Sequence, residues 1–438
     1  MRKATFNRVM GLLLITLILQ SSCMGQTSAH YNDSPRVIVT TDGEIDDKTS
    51  FVRYLMYTDE FQTEGLIYGN SKWQRHGHGT VWMQDAIEEW AKVRDNILLH
   101  RDGYPTPEAL KEVVYAGNMD EEFLHYAGPL ESDGARHIIR VLLDNDPRPV
   151  WVQAWGGTNT IAQALAIMEK ELSKEELDYA HGKLKIYAIA DQDSTARMIR
   201  ERFPNLFYIQ CHQFTALNYQ HEGHPYSDHY IFHNDWTTEN VKTGHGPLGA
   251  TYAQSYFSEG DSPSFFHLIG NGLSAEQNPT WGGWGGRFMK NNGNNYFSDA
   301  IDDGDRLHGQ WIWLPDIQND FAARMDWCVE SYEKANHYPE IKRSPPDVLE
   351  VKPGGKVKLK VKATDPDGDE LSFNWWHYQF AGDNPYPNEI PVDENSGNKI
   401  EVKVPGDATG KEIHLILIVS DNGSPVLKQY RRVILKVN

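Results

Sequence analysis

Arg36-Val37-Ile38-Val39-Thr40-Thr41, followed at once by Asp42-Gly43-Glu44-Ile45-Asp46-Asp47, is the stretch that decides the fold. The apolar run Val37–Val39 predicts a short buried strand, and the acidic cluster falls where that strand runs out into a loop. Carboxylates this close repel one another unless a cation, basic side chains or water offset their charge. A solvated acidic loop is one reading of the spacing. A hard divalent cation, which wants an oxygen-rich site of this kind, is the other. Position favours the cation, because open α/β sheets bind their ligands beyond the carboxyl ends of strands.

Working outward, the region 34–340 alternates between apolar runs and amphipathic segments. Strands are expected over Gln62–Tyr68, Pro149–Ala154, Lys185–Ala190 and Leu206–Gln210. Helices are expected over Phe51–Tyr57, Trp82–Ile97, Leu110–Val114, Arg136–Leu143, Ile161–Leu172 and Ser194–Arg202. Such alternation predicts parallel βαβ units in an open, doubly wound α/β sheet. Lys342–Pro346, with its basic residues and proline pair, reads as a linker. Beyond it, over 345–438, come strands at Lys356–Ala363, Leu371–His377, Lys399–Val404, Glu412–Ser420 and Tyr430–Val437, a spacing that predicts an immunoglobulin-like β-sandwich. Asp365, Asp367 and Asp369 in one of its turns are either a second cation site or a strand connection.

The first 29 residues read as a leader. Arg2, Lys3 and Arg8 precede an apolar run from Val9 to Leu19, and Ser21-Ser22-Cys23 follows. Cys23 suits a bacterial lipoprotein anchor, although Gln20 stands where leucine is usual, so plain secretion stays open. The expected location is the periplasm or the outer membrane, with the lipid on Cys23 as the one membrane contact. Cys211 and Cys328 then remain, as a pair or as two buried thiols. A net charge of −19 argues against nucleic acid as a partner, which needs a basic face. The 13 Trp and 21 Tyr suit a protein that stacks on sugars, and also a large core.

Four blocks in order resemble the nucleoside hydrolase superfamily. They are Asp42-Gly-Glu-Ile-Asp46-Asp47 after the first strand, Gly69-Asn70 after the second, Gly156-Gly157-Thr158-Asn159 before a helix, and the late Asp261 in Glu259-Gly-Asp-Ser-Pro. The runs Glu259–Phe265, Trp281-Gly-Gly-Trp284-Gly-Gly-Arg287-Phe and Ala363–Asp369 further resemble an exported subgroup labelled cellulose-binding, of the Sde182 type. The resemblance implies a nucleoside-hydrolase-like domain followed by the sandwich.

It also implies a Ca2+ held by Asp42, Asp46, Asp47, Asp261 and the Trp155 carbonyl, with Asp42 as general base toward a metal-bound water. Asn70 would reach sugar hydroxyls, and Glu259 would lie at the substrate. Trp73, and Trp281 and Trp284 with Arg287 nearby, would make a sugar-stacking rim; the alternative for the Gly-spaced pair is a loop packed onto the sheet. The sequence departs from the family at Gly260, where one branch has a proton-donating histidine, and at Asp191-Gln192-Asp193, which lacks the family's Glu-Phe-Asn run. A glycosidase needs an acid for the leaving group, and Glu44, Glu259, His76, His78 and His245 are the candidates. Two functions follow: a Ca2+-dependent hydrolase of a glycoside or N-riboside, and a non-catalytic surface protein that binds a cellulose-like carbohydrate.

Overall fold

In the computed structural model, residues 34–438 are described except 78, 120–130, 219–223, 225, 227, 255–256, 292–293 and 393–396. The leader and Cys23 lie outside the described residues. Among the described residues, no helix is long and apolar enough to cross a membrane.

Every residue of β1 (Arg36–Thr41) is buried, as befits a strand covered on both faces. Val37 and Val39 point into one core layer and Ile38 into the other. On one side β1 pairs in parallel with β2 (Gln62–Tyr68), and β2 with β3 (Val114–Ala116). On the other side it pairs with β4 (Val150–Ala154), which continues in parallel to β5 (Leu184–Ile189) and β6 (Phe207–Cys211). An antiparallel edge strand, β7 (Phe288–Lys290), closes the sheet through β8 (Tyr296–Asp299), giving the order β3-β2-β1-β4-β5-β6-β8-β7. The chain runs outward from β1 to β3 and then crosses back to start again at β4. The crevice at the ends of β1 and β4 is therefore the switch point of the sheet, where ligands of such folds bind.

Helix α1 (Ile45–Met56) starts six residues before the expected Phe51, directly out of the acidic loop, so Asp46 and Asp47 occupy its first turn. Carboxylates there are favoured by the positive end of the helix dipole. Among the elements that escaped the pattern reading are β3 and the helix Lys174–Lys183. Thr106 caps a helix that ends at Glu112, and the β-branched Val113-Val114 then turns the chain into β3. Ser173 and Glu176 form a capping box for a separate helix, Lys174–Lys183.

The C-terminal part is all-β. It comprises β9 (Glu340–Arg343), β10 (Val348–Val351), β11 (Lys356–Lys360), β12 (Lys362–Thr364), β13 (Ser372–His377), β14 (Lys399–Lys403), β15 (Glu412–Ser420) and β16 (Lys428–Val437). They form a four-stranded sheet, β10-β16-β15-β13, and the pairs β11-β14 and β12-β9. Leu359, Trp375, Ile400, Leu415 and Leu435 from both sides meet in one core. The stretch read as a linker begins inside β9, which pairs with β12.

The two parts share packing. Tyr430 of β16 is buried in the core of the first domain, and its hydroxyl donates to Asp316 at 2.6 Å. Arg432 donates to the carbonyls of Leu273 and Gly282, each at 2.7 Å. Cys211 and Cys328 are buried free thiols, and burial pushes both up in pKa.

Candidate metal centre

At the end of β1 the chain turns through Gly43, whose φ of +74° suits glycine. The turn folds the Asp42 carboxylate inward, where it is 1% exposed, and its Oδ1 accepts the Glu44 N–H at 3.4 Å. Asp47 Oδ1 accepts the Asp42 N–H at 3.3 Å and the Thr41 hydroxyl. Asp261 comes from a distant loop that Ser264 braces through the Asp261 carbonyl at 2.7 Å. One carboxylate oxygen each from Asp46, Asp47 and Asp261 lie within 4.8 Å of one another. The Oδ2 atoms of Asp42 and Asp261 are buried and have no hydrogen-bond partner among the described residues.

The electrostatics agree with that crowding. Burial, and then the neighbouring Asp42 charge, raises Asp46 to about 6. Burial followed by the other carboxylates drives Asp47 and Asp261 well above the carboxylate range. Glu44 is raised to about 7, by burial first and by Asp42 and Asp46 after it. These groups cannot all be ionised at neutral pH unless a positive charge joins them. A cluster of oxygens with two orphaned buried acceptors fits a hard divalent cation.

Above the cluster opens a cavity of about 660 Å3, lined by Glu44, Asp46, Asp47 and Asp261 and by Trp73, Trp155, His212, Phe214 and Gln254. Asp42 does not itself line it; its carboxylate packs against Gly156, where a Cβ would fall 2.7 Å from Asp42 Cγ. Trp73 is 66% exposed at the rim, with Lys72 Nζ 4.8 Å from its ring centre.

The glycine block after β4 holds the surrounding loops. A Cβ on Gly157 would strike the Asn70 carbonyl and come within 2.6 Å of Asp193 Oδ2. Asp193 accepts from Thr158 Oγ1 at 3.1 Å and from the Asn159 N–H at 3.0 Å. Asn159 Nδ2 in turn donates to Asn70 Oδ1 at 2.6 Å. Gly157→Ala should therefore cost about 1–3 kcal/mol through overpacking, read as a lower denaturant midpoint, and should loosen the Asn70 loop. An unchanged midpoint would show that the loops yield freely.

Several expectations are corrected. Asn70 is buried, and its side-chain oxygen is already used by Asn159, so it braces the loop and does not line the cavity. Glu259 is fully buried and ion-paired with Arg53; Tyr252 and Ser262 also donate to it, at 2.6 and 3.0 Å. Trp284 is 2% exposed and meets the Tyr430 ring edge-on, while Trp281 packs near His414 and Arg287 pairs with Asp302. The Gly-spaced tryptophans thus seal the joint between the domains, because β15 and β16 bring aromatic and cationic partners over them. Trp155 lines the cavity, and its carbonyl accepts the Gln192 amide.

Among the acid candidates, His245 is buried against Asp326 and His76 is exposed outside the cavity lining. His78 lies outside the described residues. Gly260 has little room for the missing histidine, since a Cβ would lie 3.0 Å from Asp46 Oδ2 and 3.1 Å from Phe214. In the C-terminal turn, Asp365, Asp367 and Asp369 do cluster. Asp365 Oδ1 serves the turn's own N–H groups, and Asp367 accepts from the His337 N–H at 2.8 Å.

The sequence reading missed His212 and Gln254. His212 follows β6 immediately, so the strand-end rule that found Asp42 would have found it too. Gln254 comes from an irregular segment and had no such signal; its Oε1 is buried without a partner among the described residues.

Residues 36–288 match the family model described as cellulose-binding Sde182, nucleoside hydrolase-like domain. Residues 356–437 match that of the cellulose-binding protein Sde0182, C-terminal domain. Among solved structures, the chain is similar to a nucleoside hydrolase-related protein from Saccharophagus degradans described as associated with carbohydrate metabolism. The two are 32% identical over 92% of this chain and 100% of that one, with a TM-score of 0.81. The effector protein XOO4466 is 11% identical over 69% of this chain and 96% of that one, with a TM-score of 0.38. No curated protein matches the chain.

Proposed function

The chain belongs to the family of cellulose-binding, nucleoside hydrolase-like proteins of the Sde182 type, and from that premise we propose that it is an exported, calcium-dependent hydrolase of glycosidic bonds in a carbohydrate. The observation that carries this reading is the pair of buried, unpartnered oxygens, Asp42 Oδ2 and Asp261 Oδ2, beside Asp46 and Asp47 under an open cavity. Burying Asp42, Asp47 and Asp261 beside Asp46 is costly without a cation to offset the charge. All the donors are oxygens, a set suited to Ca2+.

Such a cation supplies Lewis acidity and a fixed charge for orienting sugar hydroxyls. The remaining work falls to the chain. Asp42 Oδ2 takes the proton of the attacking water as general base. Glu44, on the cavity wall, is the carboxyl best placed to protonate the leaving oxygen. Trp73 offers an exposed ring face to a sugar at the rim. A cavity of this volume takes a short stretch of glycan.

The test is a hydrolysis screen of cellulose fragments, other glycans, aryl glycosides and nucleosides, with and without Ca2+. The second reading, a binding protein without turnover, rests on Gly260, which stands where one branch of the superfamily has a histidine proton donor and leaves little room for one. Glycan binding with no sugar released from any candidate would establish it.

Chelation supplies a second test. Without a cation, carboxylates such as Asp46, raised from 3.8 to about 6, contribute stability that is complete below the unfolded value. That stability is lost as pH rises through the folded one. Calcium should therefore matter most at pH 7.5 and least at pH 5. A ligand at a hundred times its Kd adds about 2.7 kcal/mol, so EDTA should lower Tm by several degrees at pH 7.5 and by much less at pH 5. A Tm indifferent to EDTA at pH 7.5, with no metal recovered from the untreated protein, would remove the cation from the reading.

A further inference from the structure

On the C-terminal domain, β11 and β14 pair with Lys356 opposite Lys403, Lys358 opposite Glu401 and Lys360 opposite Lys399. Strand alternation sends Leu359, Ile400 and Val402 into the core and all six charged side chains to solvent. Next to them, Lys362 of β12 stands opposite Arg343 of β9. Three of these four cross-strand pairs set cation against cation, an arrangement that weakens a sheet. Glu401 reaches Lys356 at 2.5 Å and Lys358 at 3.5 Å. Lys360, Lys362 and Arg343 make no ion pair among the described residues. Arg343, Lys358, Lys360 and Lys362 line a groove of about 570 Å3 whose other walls include Pro345, Pro346 and Leu349, with no acidic side chain among the described lining residues.

Lysines on strand edges guard against aggregation. Single lysines meet that need, and facing pairs exceed it at a cost in stability. The chain carries a net charge of −19, so this face is a local reversal of its overall sign. Rule-breaking that costs stability marks a functional surface.

We propose that this groove and the adjoining lysine face bind an anionic polysaccharide, a sugar chain bearing carboxylate or sulfate groups. Lysines recur every second residue, roughly 7 Å apart along a strand, and offer a row of charges to a chain with one anion per ring or so. The proline and leucine walls suit the apolar faces of the rings. A membrane fits less well, because anionic lipid attracts basic side chains to a flat surface and this groove is concave. The site is separate from the carboxylate cavity and would stand if the hydrolase reading fell.

The experiment is affinity electrophoresis of the full chain in gels carrying polygalacturonate, dextran sulfate or neutral hydroxyethylcellulose, with sedimentation on phosphatidylglycerol vesicles in parallel. Wild type should be retarded by at least one polyanion at low salt and released at 0.5 M NaCl, where screening shortens to a few ångströms. The stronger of the two identifies the anion. Lys360→Gln with Lys362→Gln should weaken that binding about tenfold, and should slightly raise Tm in the absence of glycan by relieving repulsion. Lys92→Gln with Lys174→Gln, the same charge change on exposed helices, should leave binding intact. No retardation by either polyanion, equal binding by both double variants, or capture by vesicles alone would overturn the proposal.

Discussion

Asp42→Asn should lower the rate on any hydrolysed substrate by about 10²–10⁴-fold, the usual cost of removing a general base. The substitution keeps the size of the side chain and one oxygen, so the hydrogen bond from the Glu44 N–H can persist. What disappears is the buried, unpartnered Oδ2 and its charge. Asp42 packs against Gly156 and does not line the cavity, whereas Trp73 does. Sugar binding at the rim should therefore largely survive, and the loss should appear in kcat with little change in KM. Losing one carboxylate should also weaken the cation site, so the variant needs to be assayed over a range of Ca2+. A rate equal to wild type at saturating Ca2+ would exclude Asp42 as the base.

How far the sequence could be read follows from the range of each interaction. The strand, the acidic loop and the first turn of α1 are contiguous, and a run of fully buried residues ending in carboxylates needs nothing distant to interpret it. The same holds for β2 and β4, whose apolar runs coincide with the observed strands to within a residue. Gly156-Gly157 was legible as a block, although its reason, the closeness of Asp42 and of the Asn70 carbonyl, was not. The Trp281 to Arg287 run stayed open between two readings because its partners, His414 and Tyr430 on β15 and β16, lie more than a hundred residues away and belong to the other domain. Two indoles spaced by glycines look alike whether they stack on a sugar or on a neighbouring domain. Val114-Tyr115-Ala116 is too short to signal a strand and becomes one because β2 offers it an edge.

Glu259 shows the same limit, and it carries the largest expected effect on stability. Its position two residues before Asp261 suggested a substrate contact, yet its side chain and that of Arg53 are both 0% exposed and face each other. Arg53 also donates to the Ile317 carbonyl and lies 3.8 Å over the Phe321 ring, so it ties α1 to the helix Leu314–Asp326. Removing one partner of a buried pair strands the other charge, at a cost of about 3–5 kcal/mol. Glu259→Gln should approach that cost, seen as a large fall in the denaturant midpoint. Any loss of activity should follow the folded fraction and leave the pH profile of kcat unmoved. Arg53→Met combined with Glu259→Leu should recover only part of the loss: it removes the stranded charge but leaves the Tyr252 and Ser262 hydroxyls and the Ile317 carbonyl without the partners they had. If Glu259→Gln instead folded as stably as wild type and lost only the alkaline limb of the pH profile, Glu259 would be the missing proton donor, and Glu44 would lose that role.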